Sequence, residues 1–330
     1  MKEILQYLFE HKTLSRANAK KVLMDVSAGI YNEQEVTAFI TVFLMRSITL
    51  EELQGFRDAL LELKVNVSVP QLNTIDIVGT GGDGKNSFNI STLSCFVVAG
   101  AGHYVTKHGN YGASAISGAS NVMEQLGYKF SNDTEKLATE VEQAGICFLH
   151  APLFHPALKS VAPIRKNLGL RTFFNMLGPL VNPANPSFQL IGVYNLEMAR
   201  LYTYLLQAES KQFSIVHSLD GYDEISLTAD TKVISNSGEQ IYSATELGGM
   251  QVLPADIIGG DTKEDAAKLF YKIISGEGTA QQNAVVCANA AMAIYGAGTH
   301  ANYADSLAQA KESLQSGKAF DRFKKLISVQ

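Results

Sequence analysis

The chain has 330 residues, 46% of them hydrophobic, with a formal net charge of -5. That length buries a sizeable core and accommodates more than one structural lobe. The negative balance and the lack of any lysine or arginine run give no support to nucleic-acid binding or a membrane-surface role. A small anion stays admissible, because backbone amides and single cations bind one locally.

Cys95, Cys147 and Cys287 are the only cysteines, far apart and each within an apolar stretch. An odd count without metal-type spacing argues for buried thiols in a reducing compartment. The opening MKEILQYLFEHKTLS carries acidic residues in its apolar region and no small-residue cleavage site, unlike a secretory signal. The best apolar run, residues 37–48, is too short to span a bilayer and contains Arg46. A cytoplasmic protein is the expectation.

Residues 1 to about 68 read as helical, with apolar positions such as Ile4, Leu5, Leu8 and Phe9, then Val36, Phe39, Ile40 and Phe43, recurring at three and four. Asn32 precedes Glu35, and Thr49 precedes Glu52, by the capping-box spacing. Phe39, Val42, Phe43 and Leu44 supply more apolar surface than one short helix usually buries. Either a second subunit or an internal bundle core covers it. Pro70 to Asn73 is a polar break. Beyond it short β-type runs alternate with helical ones: Ile75–Val78, Tyr104–Thr106, Ile146–Leu149, Gln189–Val193, Phe213–Val216, then a hairpin from Thr231–Ser235 and Gln240–Ser243. Such alternation predicts an α/β fold with a largely parallel sheet. The run Pro156–Pro179 is helical again and free to rejoin the N-terminal helices. Lys263–Ile274, Gln281–Tyr295 and Asn302–Leu314 close the chain as helices. The expected organisation is a small all-helical domain over residues 1–70, joined by helices from about 156–180, and a larger α/β domain over 71–330 with a mostly parallel central sheet.

The stretch richest in chemistry follows the first strand. Gly79, Gly81, Gly82 and Gly84 fall within six positions, which lets the backbone take positive φ and turn its amides toward a ligand. Asn89, Ser91 and Thr92 then place three hydrogen-bonding side chains in the first turn of a helix, where a structural role needs only one. A glycine turn alone is a weak signal; the polar helix start strengthens it. Asp83 inside the loop suits a hydroxyl, an amide or a metal-bound phosphate. Lys107-His108-Gly109-Asn110 closes the second strand, with Ser114 and Ser117 beyond. Lys107 suits a phosphate as a point charge, and His108 and Asn110 suit a second ligand, although a lone histidine is more often structural. Asp223-Glu224 follows a strand ending near His217. Adjacent carboxylates on a loop are usually solvated, yet magnesium bridging them to phosphates would join these facts. Arg165 is either an exposed helix charge or a planar fork for a carboxylate or phosphate.

Taken together, GTGGD at residues 79–83, NIST at 89–92, KHGN at 107–110, RKNLGLRTFFNMLGPLVNPA at 165–184 and DGYDEIS at 220–226 resemble the anthranilate phosphoribosyltransferases of tryptophan biosynthesis, along nearly the whole chain. The resemblance implies a helical domain plus an α/β domain, shared with pyrimidine nucleoside phosphorylases, and a homodimer through the helical lobes. It implies magnesium-dependent transfer of the 5-phosphoribosyl group of phosphoribosyl pyrophosphate to the amine of anthranilate, with no residue acting as covalent nucleophile or strong base. The donor would be held by Gly79, Gly82, Asp83, Ser87, Asn89, Ile90, Ser91, Thr92, Lys107, Gly112, Ser114 and Ala119. Gly79, His108, Asn110, Arg165 and Gly178 would line the anthranilate path, and Ser91, Asp223 and Glu224 would handle the metal. The loop after KHGN departs from the common form: Tyr111 stands for arginine, and Ala115 and Ala119 remove hydroxyls, leaving Gly112 and Gly118 to offer backbone amides instead. The alternatives are a nucleoside phosphorylase of the same fold and a non-catalytic relative that binds nucleic acid, which the acidic total and the Asp223-Glu224 pair disfavour.

Overall fold

The computed structural model describes residues 1–70, 72–112 and 116–330. They divide into one unit of Met1–Asn66 with Ala151–Pro183 and another of Val67–His150 with Ala184–Gln330. None of the described helices is long and apolar enough to cross a membrane.

The first unit begins with α1 (Lys2–Phe9), α2 (Arg16–Ser27), α3 (Glu33–Met45) and α4 (Leu50–Glu62). Both capping boxes form. The Asn32 side chain accepts from Glu35 N at 2.9 Å while Glu35 accepts from Asn32 N at 3.1 Å, and Thr49 and Glu52 exchange bonds of 3.3 and 3.0 Å. Glu52 is fully buried and takes the Arg46 fork on both oxygens at 2.6 and 2.9 Å, the bidentate arrangement that makes a buried carboxylate tolerable.

The apolar surplus of α3 is covered largely from within this unit. Phe39 and Phe43 meet Phe56 and Phe173 edge-on, and Phe173 stacks on Phe56 with centroids 4.4 Å apart. Phe173 arrives on the returning segment 151–183. That segment is tied down by Arg57 Nε donating to the Leu180 carbonyl at 2.9 Å and Lys64 Nζ to the Pro183 carbonyl at 2.8 Å. Phe9, Ile30, Leu44 and Met45 stay exposed.

The second unit is built on a seven-stranded sheet: β1 (Thr74–Gly79), β2 (Tyr104–Gly109), β3 (Ile146–His150), β4 (Phe188–Gly192), β5 (Gln212–Ser218), β6 (Thr231–Ser235) and β7 (Gly238–Tyr242). Its order is β3-β2-β1-β4-β5-β6-β7. The first five strands are parallel, and the β6–β7 hairpin adds an antiparallel edge. This is the predicted α/β architecture. The chain runs outward from β1 through β2 to β3, then returns to the other side of β1 as β4. The carboxyl ends of β1 and β4 therefore flank a topological switch point, where open α/β sheets take their ligands. Behind β1 and β2 lies α5 (Ile90–Gly100), buried at every position except Ser91, packed also against the helix Ala280–Gly296. A helix apolar on all faces belongs in a core. The three cysteines are buried free thiols, and burial pushes those of Cys95 and Cys287 up to about 12.

Phe173→Ala removes the ring that joins the returning segment to α3 and α4. It is expected to cost about 3–5 kcal/mol, the scale for truncating a buried phenylalanine. Urea unfolding measures this; a loss below about 1 kcal/mol would mean that the aromatic cluster does not hold the segment.

Candidate active site

The loop after β1 turns through left-handed backbone at Gly81, Gly82 and Gly84, with φ of 65°, 77° and 74°. Its entry is tied to β4 by Thr80 N donating to the Gly192 carbonyl at 3.0 Å. Onto this switch point folds the segment after β5. Asp223 lies against the ends of both strands. A Cβ at Gly79 would come within 2.3 Å of Asp223 Oδ2, and one at Gly192 within 1.6 Å of the Asp223 carbonyl oxygen. These two glycines are register partners across the β1–β4 pair, so the sheet omits both side chains where the acidic segment lands.

Asp223 and Glu224 are not solvated loop charges. Asp223 is buried and its Oδ2 accepts from Gly81 N at 2.6 Å. Glu224 accepts from Ser91 N at 3.1 Å on Oε1 and from Ser87 Oγ at 3.3 Å on Oε2. Asp83 accepts from Lys85 N on Oδ1 at 3.0 Å, while its buried Oδ2 has no hydrogen-bond partner among the described residues. Burial holds the Asp83 carboxyl above its ordinary range. Burial and then the Asp83 charge do the same to Asp223; for Glu224 it is burial, then the charges of Asp223 and Asp83. Such a cluster is short of positive charge.

At the start of α5, Asn89 does not cap the helix with its side chain. Its Nδ2 reaches the Ser117 carbonyl at 3.3 Å, joining the two loops expected to bind phosphate. The anion that takes the Ser91 amide in this state is Glu224. Ile90 does not present a ligand-binding group on either count: its side chain is in the core and its N–H donates to the Phe88 carbonyl at 2.6 Å. The hydroxyl oxygens of Thr80, Thr92 and Ser117 are buried with no partner among the described residues.

Lys107 and His108 are the fourth and fifth residues of β2. Both are nearly fully buried; Lys107 Nζ donates to the Ile77 carbonyl at 2.7 Å, and His108 N to Asp76 Oδ1 at 3.3 Å. Asn110 is exposed, its Oδ1 accepting from Tyr111 N at 2.8 Å. Tyr111 packs edge-on to His150, with ring centroids 4.8 Å apart, and Asn121 Oδ1 accepts from both Gly112 N and Gly118 N at 3.0 Å. Ala119 opens the helix Ala119–Gln125, whereas Ser114 and Ala115 lie outside the described residues. Arg165 and Gly178 belong to the helical unit. There the Arg165 guanidinium lies over the Phe174 ring, 5.4 Å from its centroid, and its Nη2 donates to Asn175 Oδ1 at 3.4 Å, while Gly178 opens the turn Gly178–Leu180.

Motif reading brings together Gly79, Asp83, Ser87, Asn89, Ser91, Asp223 and Glu224. It passes over Thr80, Asn121 and Gly192. Gly192 has the fewest neighbours in sequence to betray it, although a glycine closing the apolar run QLIG is itself a mark of close backbone approach.

Family models match both parts of the chain, a glycosyl transferase helical bundle domain over residues 2–63 and a glycosyl transferase a/b domain over residues 71–320. The anthranilate phosphoribosyltransferase of Christiangramia forsetii is 56% identical over 328 residues, covering 99% of this chain and 98% of the relative. That of Bacteroides thetaiotaomicron is 55% identical over 329 residues, covering 100% and 99%. Among solved structures, the anthranilate phosphoribosyltransferase of Thermus thermophilus superposes with a TM-score of 0.91 at 30% identity, covering 98% of each chain. The Saccharomyces cerevisiae enzyme, solved in complex with phosphoribosyl pyrophosphate and magnesium, gives 0.88 at 25% identity, covering 96% of this chain and 93% of that one. Fold and site are thus those of a two-part glycosyl transferase. Within that class the chain belongs to the anthranilate phosphoribosyltransferase family.

Gly192→Ala forces a Cβ into the Asp223 backbone. It is expected to destabilise the protein by at least about 1–3 kcal/mol, the overpacking range. A urea midpoint indistinguishable from wild type would contradict the close packing of the acidic segment on β4.

Proposed function

We propose that the protein transfers the 5-phosphoribosyl group of phosphoribosyl pyrophosphate to the amino nitrogen of anthranilate, releasing pyrophosphate, in tryptophan biosynthesis. The observation that carries this reading is the meeting, at the β1–β4 switch point, of a glycine loop and a buried carboxylate cluster, with the start of α5 bonded to Glu224 and buried hydroxyls at Thr80, Thr92 and Ser117 that have no partner among the described residues. Hydroxyls and loop amides suit the phosphates of the donor; buried carboxylates with raised proton affinity suit a divalent cation.

Magnesium fits the residues present. Among the described residues no group of three or more His, Cys, Asp or Glu is arranged to hold a metal by itself. Asp223 and Glu224, with the Ser91 hydroxyl, would hold the ion through oxygen atoms, the ligand type magnesium takes alongside substrate phosphates and water. When bound, the ion supplies charge neutralisation for the departing pyrophosphate.

The rest is the work of the chain. Gly79, Gly82, Asp83, Ser87, Asn89, Thr92 and Lys107 are assigned to the donor, with Gly112, Ser114 and Ala119 from the second loop. The Thr80 and Ser117 hydroxyls join them. His108, Asn110 and Gly178 are assigned to the anthranilate path and Arg165 to the anthranilate carboxylate, its fork oriented by Asn175. The aromatic amine is neutral at pH 7 and already nucleophilic, so no strong base is required. Its lone pair forms the bond to the anomeric carbon, the carbon–oxygen bond to pyrophosphate breaks with the electron pair leaving on oxygen, and the nitrogen then sheds a proton. Catalysis comes from holding nitrogen and anomeric carbon in line and from fixed dipoles around the developing charges. The exposed Phe9, Ile30, Leu44 and Met45 support a homodimer through the helical unit, and the free buried thiols support a cytoplasmic setting.

Anthranilate fluorescence follows the reaction directly. The signal is expected to fall only with protein, phosphoribosyl pyrophosphate and magnesium all present; no loss from folded protein in the complete mixture would overturn the assignment. Replacing Asp223 and Glu224 together with alanine is expected to lower kcat roughly 100-fold or more, the scale of losing a preorganised electrostatic contact. Near-normal turnover of that variant at saturating magnesium would remove the metal role of the pair. Arg165→Ala is expected mainly to raise KM for anthranilate, and an unchanged KM would take Arg165 out of the substrate path.

A further inference from the structure

The acidic pair is held by side chains that no motif contains. Asn289 lies in the buried helix Ala280–Gly296, within the run 284–294 that is otherwise alanine, valine, isoleucine, methionine and Cys287. Its amide pairs with the peptide of Ile225 in both directions: Oδ1 accepts from Ile225 N at 3.0 Å, and Nδ2 donates to the Ile225 carbonyl at 2.8 Å and to the Val285 carbonyl at 2.9 Å. Ser218, fully buried at the end of β5, donates from Oγ to the Glu224 carbonyl at 2.7 Å and accepts from Ser226 N at 3.1 Å. Two side chains thus satisfy four consecutive backbone polar groups, from the Glu224 carbonyl to the Ser226 amide. In a buried segment outside any strand such groups otherwise go unmet, and each unmet group costs its full desolvation. Immediately beyond, Leu227 sits at φ 59°, a strained conformation for a bulky residue that persists only where its surroundings over-determine it. It is confined by Gly248, where a Cβ would come within 2.2 Å of Leu227 Cδ1.

We propose that Asn289 and Ser218 are positioning residues for the reaction. They fix the backbone that aims the Asp223 and Glu224 carboxylates, so that the pair is preset for a cation bound to pyrophosphate rather than drawn into place by it. The inference rests on the function proposed above. Its physical basis is that a leucine at 289 would fill the same apolar space without a polar group to satisfy. The amide is explained by the peptide it pairs with, which adjoins the carboxylates. Preorganisation at this level matters because a carboxylate displaced by a fraction of an ångström loses most of its value to a metal with strict octahedral demands.

The test compares wild type, Asn289→Ala and Ser218→Ala for binding of magnesium pyrophosphate by calorimetry, for KM and kcat, and for thermal midpoint. Both variants are expected to bind magnesium pyrophosphate at least tenfold more weakly, with KM for anthranilate at saturating donor changed less than twofold. A purely structural role would lower the thermal midpoint and leave the affinity of the folded protein within twofold of wild type; that result would overturn the proposal. If Asn289→Ala does not fold, Ser218→Ala decides by the same criterion. Wild type that fails to bind magnesium pyrophosphate would remove the proposed function itself, whereas binding by wild type and variants alike would remove the positioning role alone.

Discussion

The contact between the Asp223 segment and the paired glycines Gly79 and Gly192 is the constraint on which the site depends. The two strand ends meet at the point where the sheet's connections diverge, and the absence of both side chains lets backbone and carboxylate settle directly on them. What settles there is unfavourable in isolation. Burial raises the proton affinity of Asp83, burial and the Asp83 charge raise that of Asp223, and burial with the charges of Asp223 and Asp83 raises that of Glu224. The Gly81 amide, the Ser87 hydroxyl and the Ser91 amide at the start of α5 offset part of that cost. In the proposed function a bound cation offsets the remainder.

This arrangement explains why the helix start and the glycine loop belong to one device. The α5 amide holds Glu224, the loop amide of Gly81 holds Asp223, and Asn89 spans to the second loop through the Ser117 carbonyl. Buried hydroxyls with no partner among the described residues lie on three different segments, at Thr80, Thr92 and Ser117, and the proposed function assigns them to the phosphorylated donor. Thr80 is anchored by its N–H on the Gly192 carbonyl and Thr92 by its place in the buried helix α5, so these two hydroxyls are held before a ligand arrives.

Much of the fold is legible in local sequence. All seven strands, the hairpin and the two capping boxes follow from periodicity and cap chemistry, because each rests on residues a few positions apart. The destinations of long-range contacts are not legible in that way. The aromatic surplus of α3 finds Phe173 on a segment more than a hundred residues later, and periodicity alone leaves a second subunit equally acceptable. Asp223-Glu224 is assigned to the metal by its motif, although adjacent carboxylates on a loop are usually solvated; nothing local announces that Gly81, 142 positions away, will donate to Asp223. Ile90 sits inside the NIST motif that the resemblance assigns to the donor, yet its own side chain belongs to the core; a motif marks a segment, and burial decides which of its atoms face out. Asn289 is visible only as a polar residue in an apolar helix, a signal that calls for a buried partner without naming it.

In the proposed function a cation and a phosphorylated donor complete the carboxylate cluster together. Thermal melting of the wild-type protein at pH 8 tests it most directly, with magnesium alone, phosphoribosyl pyrophosphate alone, and both. Ligands that bind only the native state stabilise it by RT ln(1 + L/Kd) at free concentration L, so the midpoint rises with the logarithm of their affinity. The account predicts a midpoint shift with both present that clearly exceeds the sum of the separate shifts. An equal shift from the donor without magnesium, or no shift from the combination, would contradict it.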